Sequence, residues 1–190
     1  ERTGVGHRLS TSLLDCLIAA QPQEVTHYLN TKIPPLRPPA GNGHPFLPPP
    51  YGVFKTLDSY IALSGPGSRL DVLCQVLGIE NLAEDPRFSS YNLRAENRKA
   101  LQIILNEAVS RKTTQEWVES MEAEDIWCAP VYDYEQLFND PQVQENEMVV
   151  SVEGPAGTLK LPGIPVKLSK TPGSIRYAPP MLGEHTNEVL

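Results

Sequence analysis

The chain has 190 residues, a formal net charge of -7 and 40% hydrophobic residues. That supplies enough apolar material for a real core, and the acidic balance argues against nonspecific nucleic-acid binding, which needs a basic face. No apolar run approaches the roughly 18–20 residues that span a membrane; the best, "LLDCLIAA", is short and broken by Asp15.

In chain order, "HRLST" reads as a short strand. Ser12 then caps a helix whose Leu13, Leu14, Leu17 and Ile18 make one apolar stripe. Residues 33–50, "IPPLRPPAGNGHPFLPPP", hold eight of the 19 prolines. Proline lacks the N–H and restricts its predecessor, so this stretch is an extended connector with "GNGH" as its one flexible spot. "YGVFKT" and "YIALS" flank "LDS" as a hairpin, and "RLDVLCQVLG" reads as a helix ending at Gly78. "RAENRKALQIILNEAVSRK" reads as one helix with Leu101, Ile104, Leu105, Ala108 and Val109 on a single face. Thr113 and Glu116 form a capping box ahead of Trp117, Val118 and Met121. "IWCAPV" is a short strand closed by Pro130, and "YEQLFNDPQVQ" is helical with a break at Pro141. "MVVSVEG", "GTLKLPG" and "IPVKLS" read as antiparallel strands. The order predicts an α+β fold, with helices packed on a small antiparallel sheet.

The chemistry-bearing residues are sparse. In "GNGH" (Gly41, Asn42, Gly43 and His44) two glycines permit positive φ and bring backbone N–H groups close to a ligand. From spacing alone, a turn that interrupts a proline-rich linker is the simpler reading. "SGPGS" (64–68) resembles a phosphate-cradling turn but lacks the Lys-Ser/Thr of a nucleotide loop, so it reads as a helix entry. "KIPPLRP" (32–38) matches a basic-xx-Pro-xx-Pro ligand for an SH3 groove, a pattern frequent by chance. "RAENRK" reads as a solvated charged face, and Asp15 and Asp71 as lone carboxylates at helix starts. Cys16, Cys74 and Cys128 have no CxxC spacing and read as buried free thiols of a reducing compartment. The histidines never share a helix face. Neither a metal site nor a bound cofactor is expected, and no Ser-His-Asp or Cys-His set assembles from local spacing.

Several stretches together resemble the family III CoA-transferases, the group of formyl-CoA:oxalate and carnitine CoA-transferases. "ERTGVGHRLSTSLLD" is similar to that family's Arg-Thr-Gly-x-Gly segment with its Ser-Leu-x-Asp. "GNGHP" followed by "PYGVFKTLDSYIAL" resembles its glycine loop and hairpin, with Ser59 where the family usually has glycine. "LGIENLAEDPRF", "RAENRKAL", "WCAPV", "NDPQV" and "PPMLGEHTNEVL" follow in the family's order. The loop "SGPGSRLD" is shorter than in many relatives and lacks their Trp before the helix.

The resemblance implies a C-terminal fragment. Residues 1–30 would be a remnant of a large Rossmann-like domain and 31–50 a Pro/Gly-rich linker with the glycine loop. Residues 51–172 would be the small α+β domain, and 173–190 the return to the large domain. It further implies CoA transfer from an acyl-CoA donor to a small carboxylic acid, through an aspartyl mixed anhydride. The CoA thioester would be a substrate and not a resident cofactor. The nucleophile would lie upstream of Glu1, because Asp15 falls in the Ser-Leu-x-Asp position, which is not the nucleophile. No catalytic residue is thus expected in this chain. Gly41, Asn42, Gly43 and His44 would form the loop over the reacting centre. The whole protein would be an interlocked, cytoplasmic or organellar homodimer with no nucleic-acid or membrane partner. Two alternatives stay open: an acyl-CoA racemase of the same fold, and a non-enzymatic proline-rich module.

Overall fold

Ser12 is extended and its Oγ accepts the Asp15 N–H at 3.1 Å, so α1 (Leu13–Ala19) starts where the cap predicts. A second helix, α2 (Pro22–Thr31), follows it. The sequence reading passes over this helix, although Pro22 at its first turn is pre-set for helical φ and Val25, Tyr28 and Leu29 share a face. The computed structural model describes residues 4, 6, 8, 10–35, 43–64, 69–155 and 157–190. Of the strand expected over "HRLST", Arg8, Ser10 and Thr11 are irregular, and His7 and Leu9 lie outside the described residues.

The chain divides into two units, Glu1–Val131 and Tyr132–Leu190. In the first, β1 (Gly52–Lys55) and β2 (Tyr60–Leu63) form the predicted hairpin, and β3 (Cys128–Pro130) pairs antiparallel with β2. Ala62 faces Val53 on one side and Ala129 on the other, so β2 is the central strand. The inward residues Phe54, Ile61 and Leu63 meet α3 (Leu70–Leu77), α5 (Arg98–Val109) and α6 (Thr114–Glu122) in one core. Leu101, Leu105, Ala108 and Val109 are fully buried there, and Ile104 packs partly against them, as the apolar periodicity predicts. Trp117 fills the centre; its indole N–H donates to the Val109 carbonyl at 2.7 Å. Gly78 ends α3 at φ 65, a left-handed cap that side chains disfavour.

The long helix expected from "RAENRKALQIILNEAVSRK" is in fact two, α4 (Tyr91–Glu96) and α5. They part at Asn97, whose φ of -94 and ψ of 22 leave the helical region. Its Nδ2 donates to the carbonyls of Arg87 at 3.1 Å and Leu93 at 3.0 Å. A side chain that bonds local carbonyls in this way competes with the helix ladder.

The second unit holds α7 (Tyr134–Asn139), α8 (Pro141–Glu145), the antiparallel ribbon β4 (Val149–Gly154) and β5 (Gly157–Pro162), and a terminal turn, α9 (Thr186–Val189). Asp140 ends α7 and caps α8, so the break comes just before Pro141, where it was expected. The third strand expected from "IPVKLS" does not form. Pro165 has no N–H to give a ladder, and Val166 and Leu168 stay exposed. Among the described residues, the strands thus make two separate sheets, one of three and one of two strands. Among the described residues, no helix is long and apolar enough to cross a membrane.

Candidate functional site

Gly43 lies beside the outer edge of β1. Gly43 makes an isolated antiparallel bridge to Gly52, which brings the loop back against the strand. Gly41 and Asn42 lie outside the described residues, as do Leu36, Arg37 and Pro38 of the "KIPPLRP" motif and residues 65–68 of "SGPGS". Of that turn, Ser64 is described; its N–H donates to the Trp127 carbonyl at 2.9 Å and continues the β2–β3 pairing.

Beside Gly43 opens a cleft of about 430 Å³. Its walls include Gly43, His44, Tyr51, Ala62, Trp127 and Cys128, and no Asp, Glu, Lys or Arg is among its described lining residues. Trp127 is 68% exposed, although it directly precedes β3. The Cys128 thiol is pushed up from its ordinary value by burial and, secondarily, by the Glu122 carboxylate, so it is held as the neutral thiol. The cleft is therefore apolar, with polar atoms at the loop.

His44 is held at both its backbone and its ring. The Phe46 and Leu47 N–H groups donate to its Nδ1 at 3.1 and 3.3 Å. Its carbonyl accepts from Arg98 Nη1 at 2.8 Å, across 54 residues of sequence. Two residues on, the Phe46 carbonyl accepts from the Tyr91 hydroxyl at 2.8 Å. The His44 ring stands edge-on to Tyr51 at 5.3 Å, and Phe46 lies between His44 and His27 of α2, at 5.9 and 4.6 Å.

Here the sequence reading of "RAENRK" as a solvated face needs correction. Arg94 is 7% exposed and donates to the Phe88 carbonyl at 3.0 Å. With Asn97 bonded to Arg87, it ties α4 to the "DPRF" turn, while Arg98 ties α5 to the glycine loop. These basic residues serve as backbone staples, and only the tertiary fold brings donor and carbonyl together. No local spacing could have revealed Arg98, Tyr91 or Trp127 as neighbours of His44.

The other candidates sit elsewhere. Asp15 and Asp71 are exposed in the first turns of α1 and α3. Cys74 is buried as expected, but Cys16 is exposed, because nothing among the described residues covers the α1 face that carries it. Among the described residues, no three His, Cys, Asp or Glu side chains converge as a metal cluster would.

A small antiparallel sheet backed by helices, with Gly43 and His44 bordering an apolar cleft that Val53, Ala62 and Ala129 of its three strands also line, defines an α+β module. The family model for CoA-transferase family III matches residues 1–186, and the chain belongs to that family. It is 33% identical over its whole length to an acyl-CoA transferase of Fusarium pseudograminearum, covering 42% of that protein. It is 31% identical to a succinate–glutarate CoA-transferase of Agrobacterium fabrum, covering all of this chain and 47% of that one. A crystal structure of a CAIB/BAIF family protein from Brucella suis superposes with a TM-score of 0.76 at 26% identity, over 99% of this chain and 48% of the other. The chain thus spans about half the length of the curated relatives it matches.

Proposed function

We propose that this chain is part of an enzyme that moves CoA from an acyl-CoA donor to a carboxylic acid through an aspartyl mixed anhydride. The observation that carries the reading is the placement of Gly43 and His44 on an apolar cleft in a chain of this family. An aspartate carboxylate attacks the thioester carbonyl, and CoA leaves as its thiolate. The anhydride left behind is prone to hydrolysis, and the described cleft lining, with residues such as Ala62 and Cys128, offers no charged group to hold water beside it. The reading assigns stabilisation of the developing oxyanion to backbone N–H donors of the glycine-bearing loop.

No carboxylate is among the described residues bordering the cleft, so the reading places the nucleophile outside these 190 residues. Relatives about twice as long support that placement. The α1 stripe of Leu13, Leu14, Leu17 and Ile18 is exposed, which fits a whole protein that buries it in an interlocked homodimer. Light scattering of the whole protein that found a monomer at micromolar concentration would rule the dimer out.

The function is tested by an exchange assay with succinyl-CoA and glutarate, then with other acyl-CoA donors and free acids. It is run on the 190-residue chain and on the product of the whole open reading frame. The expected result is transfer of CoA by the whole protein and none by the chain alone. Transfer by the chain alone would put the nucleophile inside it, with Asp15 the first suspect. No transfer by the whole protein with any pair would overturn the reading.

A further inference from the structure

The two nitrogens of the His44 ring have different surroundings. Nδ1 accepts from two backbone N–H groups, those of Phe46 and Leu47. A ring nitrogen that accepts carries no proton, so in the neutral imidazole the proton sits on Nε2. Nε2 has no hydrogen-bond partner among the described residues, and His44 lines the apolar cleft. The main chain beneath the ring is fixed by Arg98 at the His44 carbonyl and by Tyr91 at the Phe46 carbonyl. The ring makes a T-shaped contact with Tyr51. The result is one oriented N–H donor, with its tautomer set by the backbone, beside a cleft whose described lining holds no charged side chain.

We propose that His44 Nε2–H donates a hydrogen bond to a substrate oxygen bound in this cleft, and that Arg98 is the positioning residue that holds His44 there. The oxygen belongs to a carboxylate or to a thioester carbonyl, two groups with the same acceptor chemistry. A neutral donor suits this role. It binds an oxyanion through an oriented dipole and leaves the loop without a fixed charge to desolvate. The inference rests on the CoA-transfer reading for the identity of the substrate, but the bond itself can be observed without turnover.

The experiment has a binding arm and a kinetic arm, both on the whole protein. For binding, the protein is labelled with 15N at histidine only, and the His44 resonances are assigned by their loss in His44→Asn. Titration with succinate and, separately, with acetyl-CoA distinguishes the two oxygen sources. The expected result is an unprotonated Nδ1 and an Nε2–H signal that shifts with at least one probe. A protonated Nδ1, or an Nε2–H signal that neither probe moves, overturns the proposal.

For kinetics, asparagine keeps an acceptor placed like Nδ1 but offers no outward donor, whereas the amide nitrogen of glutamine reaches the place of Nε2. His44→Asn should keep the wild-type melting temperature and lower kcat about tenfold, the worth of one hydrogen bond to a developing charge. His44→Gln should recover part of that loss. Arg98→Gln should lower kcat with little change in KM, and Arg98→Lys, which keeps a charged donor, should restore most of it. Wild-type kcat in His44→Asn, or equal losses in Arg98→Lys and Arg98→Gln, would overturn the assignment. If the wild-type protein transfers no CoA at all, the functional reading fails and the titration alone decides the role of His44.

Discussion

The hydroxyls of Thr56 and Thr114 lie 2.8 Å apart, joining the β1–β2 turn to the start of α6 across 58 residues. Asp58 completes the joint: its Oδ1 accepts from the Thr114 N–H at 2.8 Å, the Thr114 hydroxyl at 2.9 Å and the Thr56 hydroxyl at 3.1 Å. A hairpin carboxylate thus bonds an N–H in the first turn of a helix distant in sequence, where the helix dipole also favours it.

Acid should loosen this joint. The Asp58 carboxyl is held below its ordinary 3.8, chiefly by the Thr114 N–H and then by its hydroxyl. Glu116 is held below its ordinary 4.5 by the Thr113 hydroxyl first and its N–H second. A carboxyl whose folded pKa is depressed contributes stability that is complete above the unfolded value and is lost as pH falls through the folded one. Melting temperature should therefore hold from pH 7 to about 5 and drop below the ordinary carboxylate values. Asp58→Asn should flatten part of that drop and start from a lower melting temperature at pH 7. An unchanged acid limb in Asp58→Asn would refute the assignment.

The core around α5 should be sensitive to volume. Leu105 is fully buried in the same core as Trp117, and Leu105→Ala should cost about 2–5 kcal/mol in urea unfolding. Trp117→Phe removes the donor to the Val109 carbonyl and should cost at least about 1 kcal/mol for that buried acceptor alone. Gln115→Ala, on the exposed side of α6, should stay within about 0.5 kcal/mol.

Gly163 should not tolerate a side chain. Its N–H donates to the Met148 carbonyl at 2.9 Å, closing the ribbon of the second unit, and a Cβ there would run into the Glu147 carbonyl. Flexible side-chain ends can yield, but this obstacle is backbone. Gly163→Ala should speed amide exchange along β4 and β5, while Gly157→Ser, with open space around its Cβ but φ at 104, should cost strain alone. Equal protection of the ribbon in wild type and Gly163→Ala would contradict this.

The three thiols should separate by reactivity. Cys16 is exposed, whereas the Cys74 thiol is buried and its pKa is raised, chiefly by burial. With Ellman's reagent at pH 8, Cys16 should react fast in the native 190-residue chain, Cys128 slowly, and Cys74 only on unfolding. Fast native labelling of Cys74 would show that α3 does not pack as described.

Much of this was legible because it is local. The Ser12 and Thr113 caps, the Gly78 stop, the buried face of α5 and the β1–β2 hairpin each follow from residues within a turn or two of one another. Ordered motifs from "ERTGVGH" to "LGEHT" carried the family resemblance, which the match over residues 1–186 bears out. Other features were misread where local rules pointed two ways. "RAENRK" has the composition of a solvated helix face, and nothing in its spacing shows that Asn97 bonds Arg87 and splits the helix. "IPVKLS" alternates like a strand, but Pro165 withholds the donor a ladder needs.

The sequence by itself determined the caps, the turns, the core stripe and the family, because each is set by short-range sterics, periodicity or ordered motifs. Only the tertiary structure decided which polar atoms meet. Arg98 reaches the carbonyl of His44 over 54 residues, and Thr56 reaches Thr114 over 58. A backbone carbonyl looks the same at every position in a sequence, so its partner becomes known only once folding has brought a donor to within 3 Å.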